Sequence, residues 1–205
     1  MFTKKVLITK LSDELNAFKA KANLLNNDKA YAQYRAAEMC YEVICNTPLT
    51  AEMLQAFSKK DKMLLDVLTY LSYFDCLSAS TDKIAEMVQQ YLANQEQKVL
   101  SNKLYFRLKN EYLAWFEKIH KSSKQEIIRN AYNLTLFENI VDLMSDDIDF
   151  LNVSELRSLL SCKNTLFAIQ RAWNNWDKSI YSEMRHSISK LAWDLSQQDS
   201  CSKAA

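Results

Sequence analysis

The chain has 205 residues, no Gly, a single Pro and a formal net charge of +1 from 26 basic and 25 acidic side chains. Without Gly it lacks the usual residue for hairpin turns, phosphate-cradling loops and strained nucleophile elbows, which excludes a β-rich fold and a Walker-type or dinucleotide-type phosphate site. Interspersed charge of nearly zero sum excludes a strongly basic nucleic-acid binder and an acidic nucleic-acid mimic.

The remaining composition favours helix. Ala, Leu, Lys, Glu, Gln and Met are plentiful, and 48% of the residues are apolar, enough for one or two cores of about 100 residues each. In chain order, Leu7, Leu11, Leu15, Phe18, Ala22 and Leu25 recur three and four apart, which predicts a helix from about Lys4 to Leu25. Asn27-Asp28 offers the cap of a second helix with Tyr31, Tyr34, Ala37, Tyr41 and Ile44 on one face, ended by Asn46-Thr47-Pro48. Thr50 starts a short helix with Met53, Leu54 and Phe57. Asp61 caps the next, with Leu64, Leu65, Leu68, Leu71 and Phe74 inward. Ser80-Thr81 restarts the chain with Ile84, Met87, Val88, Tyr91 and Leu92, and the polar stretch Asn94 to Gln97 is the expected junction between two units.

The second unit opens with Leu100, Leu104, Leu108, Tyr112, Trp115 and Ile119. Ser123-x-x-Glu126 and Thr135-x-x-Glu138 read as capping boxes, with a break expected near Asn133. Asn152 caps a short helix carrying Leu156, Leu159 and Leu160. Asn164 starts what reads as the last and longest helix, through Leu166, Ile169, Trp173, Trp176, Ile180, Met184, Ile188, Leu191 and Leu195. Residues after Gln197 are expected to fray.

The two halves echo each other. Lys5 to Leu15 and Lys98 to Leu108 share K-V-L-x-x-K-L-x-x-x-L, at an offset of 93 residues, and Leu49 to Asp75 lies on Leu151 to Asp177 at an offset of 102, a change of nine. The expected architecture is therefore all-α: two tandem related multi-helix units, 1–96 and 97–197, with a tail 198–205.

Lys103-Leu104, Leu108, Glu111-Tyr112, Phe116, Glu126-Ile127-Ile128, Ala131-Tyr132, Asn139-Ile140, Leu143, Leu159-Leu160 and Leu166 together resemble an uncharacterised family of small helical domains of Firmicutes phages, plasmids and conjugative elements. The resemblance covers about Lys98 to Asp177. The chain departs from the family's pattern in having Ser122-Ser123 and Lys163-Asn164-Thr165 where Pro is common, and Asn130 in place of a polar His. It implies a bacterial mobile-element setting and supplies no catalytic residues.

Few residue patterns carry chemistry. Both His stand in Glu-x-x-His, Glu117 to His120 and Glu183 to His186. Two such motifs with two further Glu can make a di-iron site in a helical bundle, but the core stripe of the last helix places Glu183 and His186 on its solvated side, so no metal is expected. Five Cys with no CxxC read as reduced thiols. The acidic run Asp146, Asp147 and Asp149 lacks the Gly and terminal Glu of a calcium loop and reads as a solvated loop or a contact for a basic partner. Lys118, Lys121, Lys124 and Arg129 gather near Trp115 and Phe116, as do Lys59, Lys60 and Lys62 elsewhere. Trp193, two residues past Leu191, lies off the core stripe and is a candidate binding anchor.

The expected function is a non-enzymatic, cytoplasmic protein-binding module of a phage or mobile element, without cofactor, that occupies a surface of a host protein through Trp193, the acidic run and Lys118, Lys121 and Lys124. One form of that reading is an inhibitor of a host defence nuclease such as a CRISPR effector; a separate reading is a nucleic-acid-binding accessory protein. No apolar run long enough to span a membrane or lead secretion is present, so no membrane partner is expected.

Overall fold

Helix follows helix from the first turn of the chain. The computed structural model describes residues 2–77, 79–146, 150–174 and 182–202, and among them there are ten α-helices and no strand. The chain divides into two compact units, Met1–Val99 and Leu100–Ala205.

In the first unit, α1 (Lys4–Leu25) begins where Thr3 accepts the N–H of Val6 and ends on Asn26, whose left-handed backbone (φ 43°) returns an N–H to Ala22. The next helix, α2 (Asp28–Asn46), is capped by Asn27, which accepts from Ala30 N at 2.9 Å, and stops short of Pro48. Leu7, Leu11 and Ala22 of α1 are buried with the small residues Ala30, Ala36, Ala37 and Cys40 of α2, which let the two helices pack closely. Tyr31, expected inward, is exposed. Thr50 caps α3 (Ala51–Ser58), whose Met53 and Phe57 are buried. Then comes α4 (Met63–Tyr73), with Met63, Leu64, Val67, Leu68 and Leu71 buried; Leu65 and Phe74, expected inward, are exposed.

Asp61 does not cap α4. The position belongs to Lys62, which offers no side-chain acceptor, and Glu14 of α1 supplies the acceptors instead. Its Oε1 takes the N–H of Met63 and its Oε2 that of Leu64, both at 2.8 Å. The chain leaves α4 through Asp75, also left-handed (φ 52°), and starts α5 (Thr81–His120) with Ser80 accepting from Lys83 N at 3.4 Å. The polar stretch Asn94 to Gln97 makes no break: its residues are strong enough helix formers to continue, and they lie inside this 40-residue helix. The boundary between the units falls just after it, between Val99 and Leu100.

In the second unit the later part of α5 supplies Leu100, Leu104 and Leu108 to a core built with α7 (Ala131–Asp146), α8 (Val153–Ser161), α9 (Thr165–Asn174) and α10 (Ser182–Ser202). Trp115 and Phe167 both meet the buried ring of Phe137 edge-on, at 4.7 and 5.2 Å. A short α6 (Lys124–Arg129) precedes α7, and the break between them falls at Asn130, not near Asn133. Three backbone carbonyls of α6 and the side chain of Asn133 hold Asn130 there. Thr135 caps nothing; its hydroxyl donates to Ala131 O within α7. The reciprocal capping box of this unit is Asn152 with Glu155, which opens α8. The expected single last helix is instead α9 and α10, with Trp176 and Ile180 outside the described residues, and the longest helix is α5. The tail expected from residue 198 is helical through Ser202.

Glu111 repeats for α9 what Glu14 does for α4. Its Oε2 accepts Leu166 N at 2.7 Å and its Oε1 accepts Thr165 N at 3.3 Å. Arg107, one turn earlier on α5, donates through Nε to Glu111 Oε1 at 2.9 Å and through its two terminal nitrogens to Leu160 O and Cys162 O. One guanidinium and one carboxylate thus bind the end of α8 and the start of α9 to the same face of α5.

Candidate interaction surfaces

In the first unit a cleft of about 440 Å³ is lined by Lys60, Asp66, Tyr70, Tyr73, Tyr91 and Lys98, among others. Lys60 Nζ donates to Asp66 Oδ2 at 2.8 Å and to Tyr91 Oη at 3.0 Å. Burial pulls the Lys60 ammonium down, but its bonds to Asp66 and Tyr91 together outweigh that and leave its pKa above the ordinary 10.5. Burial pushes the Tyr91 phenol above 10.0, against the opposing pull of Lys60. Neither group is set to exchange a proton near neutrality, so the trio is a structural tie between the α3–α4 turn and α5. It also removes Lys60 from the basic cluster read with Lys59 and Lys62, which stay exposed.

The Cys40 thiol is likewise inert. Burial pushes Cys40 up to about 12, far from a nucleophilic thiolate. Cys40, Cys45 and Cys76 carry free thiols.

The Glu-x-x-His motifs face solvent where they are described. Glu117, His120 and His186 are exposed, and the side chain of Glu183 lies outside the described residues. The imidazole of His120 stacks on the Phe116 ring, 5.9 Å between centroids and 10° between planes. Among the described residues no group of three or more His, Cys, Asp or Glu is placed to hold a metal ion, and no helix is long and apolar enough to cross a membrane.

The residues proposed for partner contact fall in different places. Asp146 closes α7, while Asp147 and Asp149 lie outside the described residues. Lys118 and Lys121 stand exposed at the end of α5, with Lys124 and Arg129 on α6. Beside them Ile128 and Tyr132 are 64% and 62% exposed, and Tyr132 Oη accepts from Trp173 Nε1 at 2.9 Å, which fixes the phenol at the surface. Trp193 stands apart on α10. The core side of that helix is Met184, Ile188 and Ala192, all buried, and Trp193 projects opposite to it with 57% of its surface exposed.

Two open clefts flank α9. One, of about 460 Å³, runs between α9 and α10 past Arg171, Ser187, Lys190 and Asp194. The other, of about 610 Å³, is lined by Cys162, Lys163, Asn164 and Leu195, and both share Ala168 and Arg171. Their charged lining is mostly cationic.

Sequence reasoning missed the carboxylates of Glu14 and Glu111, the Arg107 brace and the Lys60 trio. A signal for the first two was present: Leu7-x3-Leu11-x2-Glu14 recurs as Leu104-x3-Leu108-x2-Glu111, an acid at the edge of a buried leucine stripe. The Lys60 trio has no sequence signal, because Lys60 and Tyr91 are 31 residues apart. No protein-family model, curated protein or solved structure matches the chain.

Proposed function

We propose that the chain is a protein-binding module that acts by occupying a surface of another protein, with Trp193 as its anchor. The observation that carries this reading is the exposure of that indole on the side of α10 away from the core. A Trp in water exposes a large apolar area at a cost, and indoles seated in a partner's pocket are among the side chains that dominate binding energy. Arg171, Lys163 and Lys190 on the neighbouring clefts suit a partner that carries acidic groups around that pocket. In the mobile-element setting implied by the resemblance of the second half, the partner is a host protein, and a defence nuclease is the most specific form of that idea.

The test is retrieval of a partner from bacterial host lysate by the wild-type chain, beside Trp193→Ala and Tyr73→Ala. Tyr73 is 84% exposed and belongs to the other unit, so it controls for the loss of any exposed aromatic. The expected outcome is one reproducible partner, reduced about tenfold or more by Trp193→Ala and unchanged by Tyr73→Ala. Equal retrieval by all three chains, or none by any, refutes the reading.

A second reading, nucleic-acid binding, is favoured by one observation: Lys118, Lys121, Lys124 and Arg129 are all exposed near the stacked pair Phe116 and His120. Phosphate-driven binding would weaken steeply with salt and fall with Lys121→Glu. A gel shift that is absent at low ionic strength rules it out.

A further inference from the structure

The later part of α5 carries two stripes with apolar side chains, and only one of them enters a hydrophobic core. Leu100, Leu104 and Leu108 point into the core of the second unit. On the opposite side, Asn102, Phe106, Lys109, Leu113, Phe116 and His120 follow one another at spacings of four, three, four, three and four, and all are exposed. Phe106 is 58%, Leu113 45% and Phe116 39% exposed. Alternating steps of three and four average 3.5 residues, the repeat that keeps one seam facing a partner helix along its length. The seam covers about 28 Å at 1.5 Å per residue.

The charges beside this seam are self-complementary. Lys103, Asn110 and Glu117 form one row along its edge, seven residues apart, and all three are exposed. Glu117 makes no ion pair among the described residues. Laid against a second α5 running the opposite way, with the two-fold axis near Asn110, the row pairs Lys103 with Glu117 of the other copy at both ends. The seam itself then stacks Phe106 on Phe116, Leu113 on the methylene stem of Lys109, and Asn102 on His120, each layer occurring twice. A parallel arrangement sets Lys109 on Lys109 and His120 on His120 and leaves Glu117 facing Tyr112, so the sequence discriminates between the two directions. Lys109 has its ammonium 5.6 Å from the Tyr105 ring centroid at the edge of the seam, which lets its stem cover Leu113 while its charge stays in water.

We infer that this face of α5 binds a second copy of the chain, forming an antiparallel two-fold dimer through Phe106, Leu113 and Phe116 with paired Lys103 and Glu117 at its edges. The surface is separate from Trp193, and the inference does not depend on the reading of that residue.

Sedimentation equilibrium of the full chain tests it. Wild type is expected to be dimeric at micromolar concentration, and Leu113→Asp monomeric with unchanged helical circular dichroism, since Leu113 takes no part in the core. Lys103→Glu and Glu117→Lys are each expected to raise the dimer dissociation constant about tenfold or more, because each turns two attractive pairs into repulsive ones. The double exchange is expected to return it to within about threefold of wild type. Trp193→Ala should leave the dimer unchanged. A wild-type chain that stays monomeric at about 100 μM overturns the inference. So does a dimer that survives Leu113→Asp, or one in which the double exchange is as weak as the single ones.

Discussion

Glu14 and Glu111 each hold two backbone N–H groups at the start of a helix that neither belongs to. The first turn of a helix has donors with no partner inside it and a positive dipole end, so a carboxylate there satisfies both needs at once. Glu14→Gln and Glu111→Gln should each cost about 1–2 kcal/mol, and the alanine variants somewhat more, measured by urea unfolding. An unchanged midpoint in both Gln variants would mean the charge contributes nothing. A second residue-scale prediction concerns alkali. Tyr91 and Lys60 both have raised pKa values in the fold. The unfolded chain therefore loses these protons first, starting near their ordinary values of 10.0 and 10.5. Their contribution is complete below about pH 10 and declines as pH rises through the folded values. The melting temperature should fall above pH 10, and less steeply in Tyr91→Phe. Third, Asn26 has a left-handed backbone in a chain with no Gly. Asn26→Ala should lose about 1 kcal/mol and Asn26→Gly should not, because only a Cβ without a compensating side chain is penalised there.

Helices were legible in the sequence wherever an apolar stripe and a cap residue agreed. Lys4 to Leu25 is both the span expected from its leucines and the span observed, because Thr3 and Asn26 stop it at both ends. The junction expected at Asn94 to Gln97 lies two residues before the boundary between the units, and the helix runs through it without a break because Gln and Glu are good helix formers. The misplaced caps share a cause. Thr135 was read as a cap from its spacing to Glu138, but its hydroxyl bonds back to the preceding turn. Caps supplied from another helix, such as Glu14 for α4, leave no local trace, and Asp61 drew the assignment that belonged to a residue 49 positions from Met63. Of the candidate surfaces, the exposure of Trp193 was legible from its position two residues beyond Leu191. The outward seam of α5 was not, because the inward stripe of the same helix already accounted for its leucines. At this scale the capping box Asn152 with Glu155 is testable: Asn152→Ala should cost about 1 kcal/mol of unfolding free energy and Glu155→Ala a comparable amount.

At the scale of the molecule, burial among the described residues gathers into two hydrophobic clusters with no residue in common, one around Phe57 and Leu71 and one around Phe137 and Ile140. Large-to-small changes deep in each core remove contacts and leave a void. Phe57→Leu and Phe137→Leu should therefore each destabilise by about 1–3 kcal/mol, and the double variant by their sum to within about 0.5 kcal/mol. Strong non-additivity in guanidinium unfolding would show that the two clusters respond as one. The register between the halves also looks different at this scale. Aligning Glu14 with Glu111 offsets the first helices by 97 residues, and aligning Leu64 with Leu166 offsets the helices they hold by 102. A duplication in that register has five extra residues to place, where the alignment on Lys5 and Lys98 needs nine.

The reach of those two carboxylates bears on how the chain can be cut. Glu14 holds Met63 and Leu64, and Glu111 holds Thr165 and Leu166. A truncation endpoint placed between acid and target strips a helix of its stopper while leaving its apolar side intact, and the fragment would be sticky for reasons unrelated to recognition. Deletion mapping of any binding activity is therefore cleanest with its endpoint between Val99 and Leu100, which separates neither acid from its target and divides neither hydrophobic cluster.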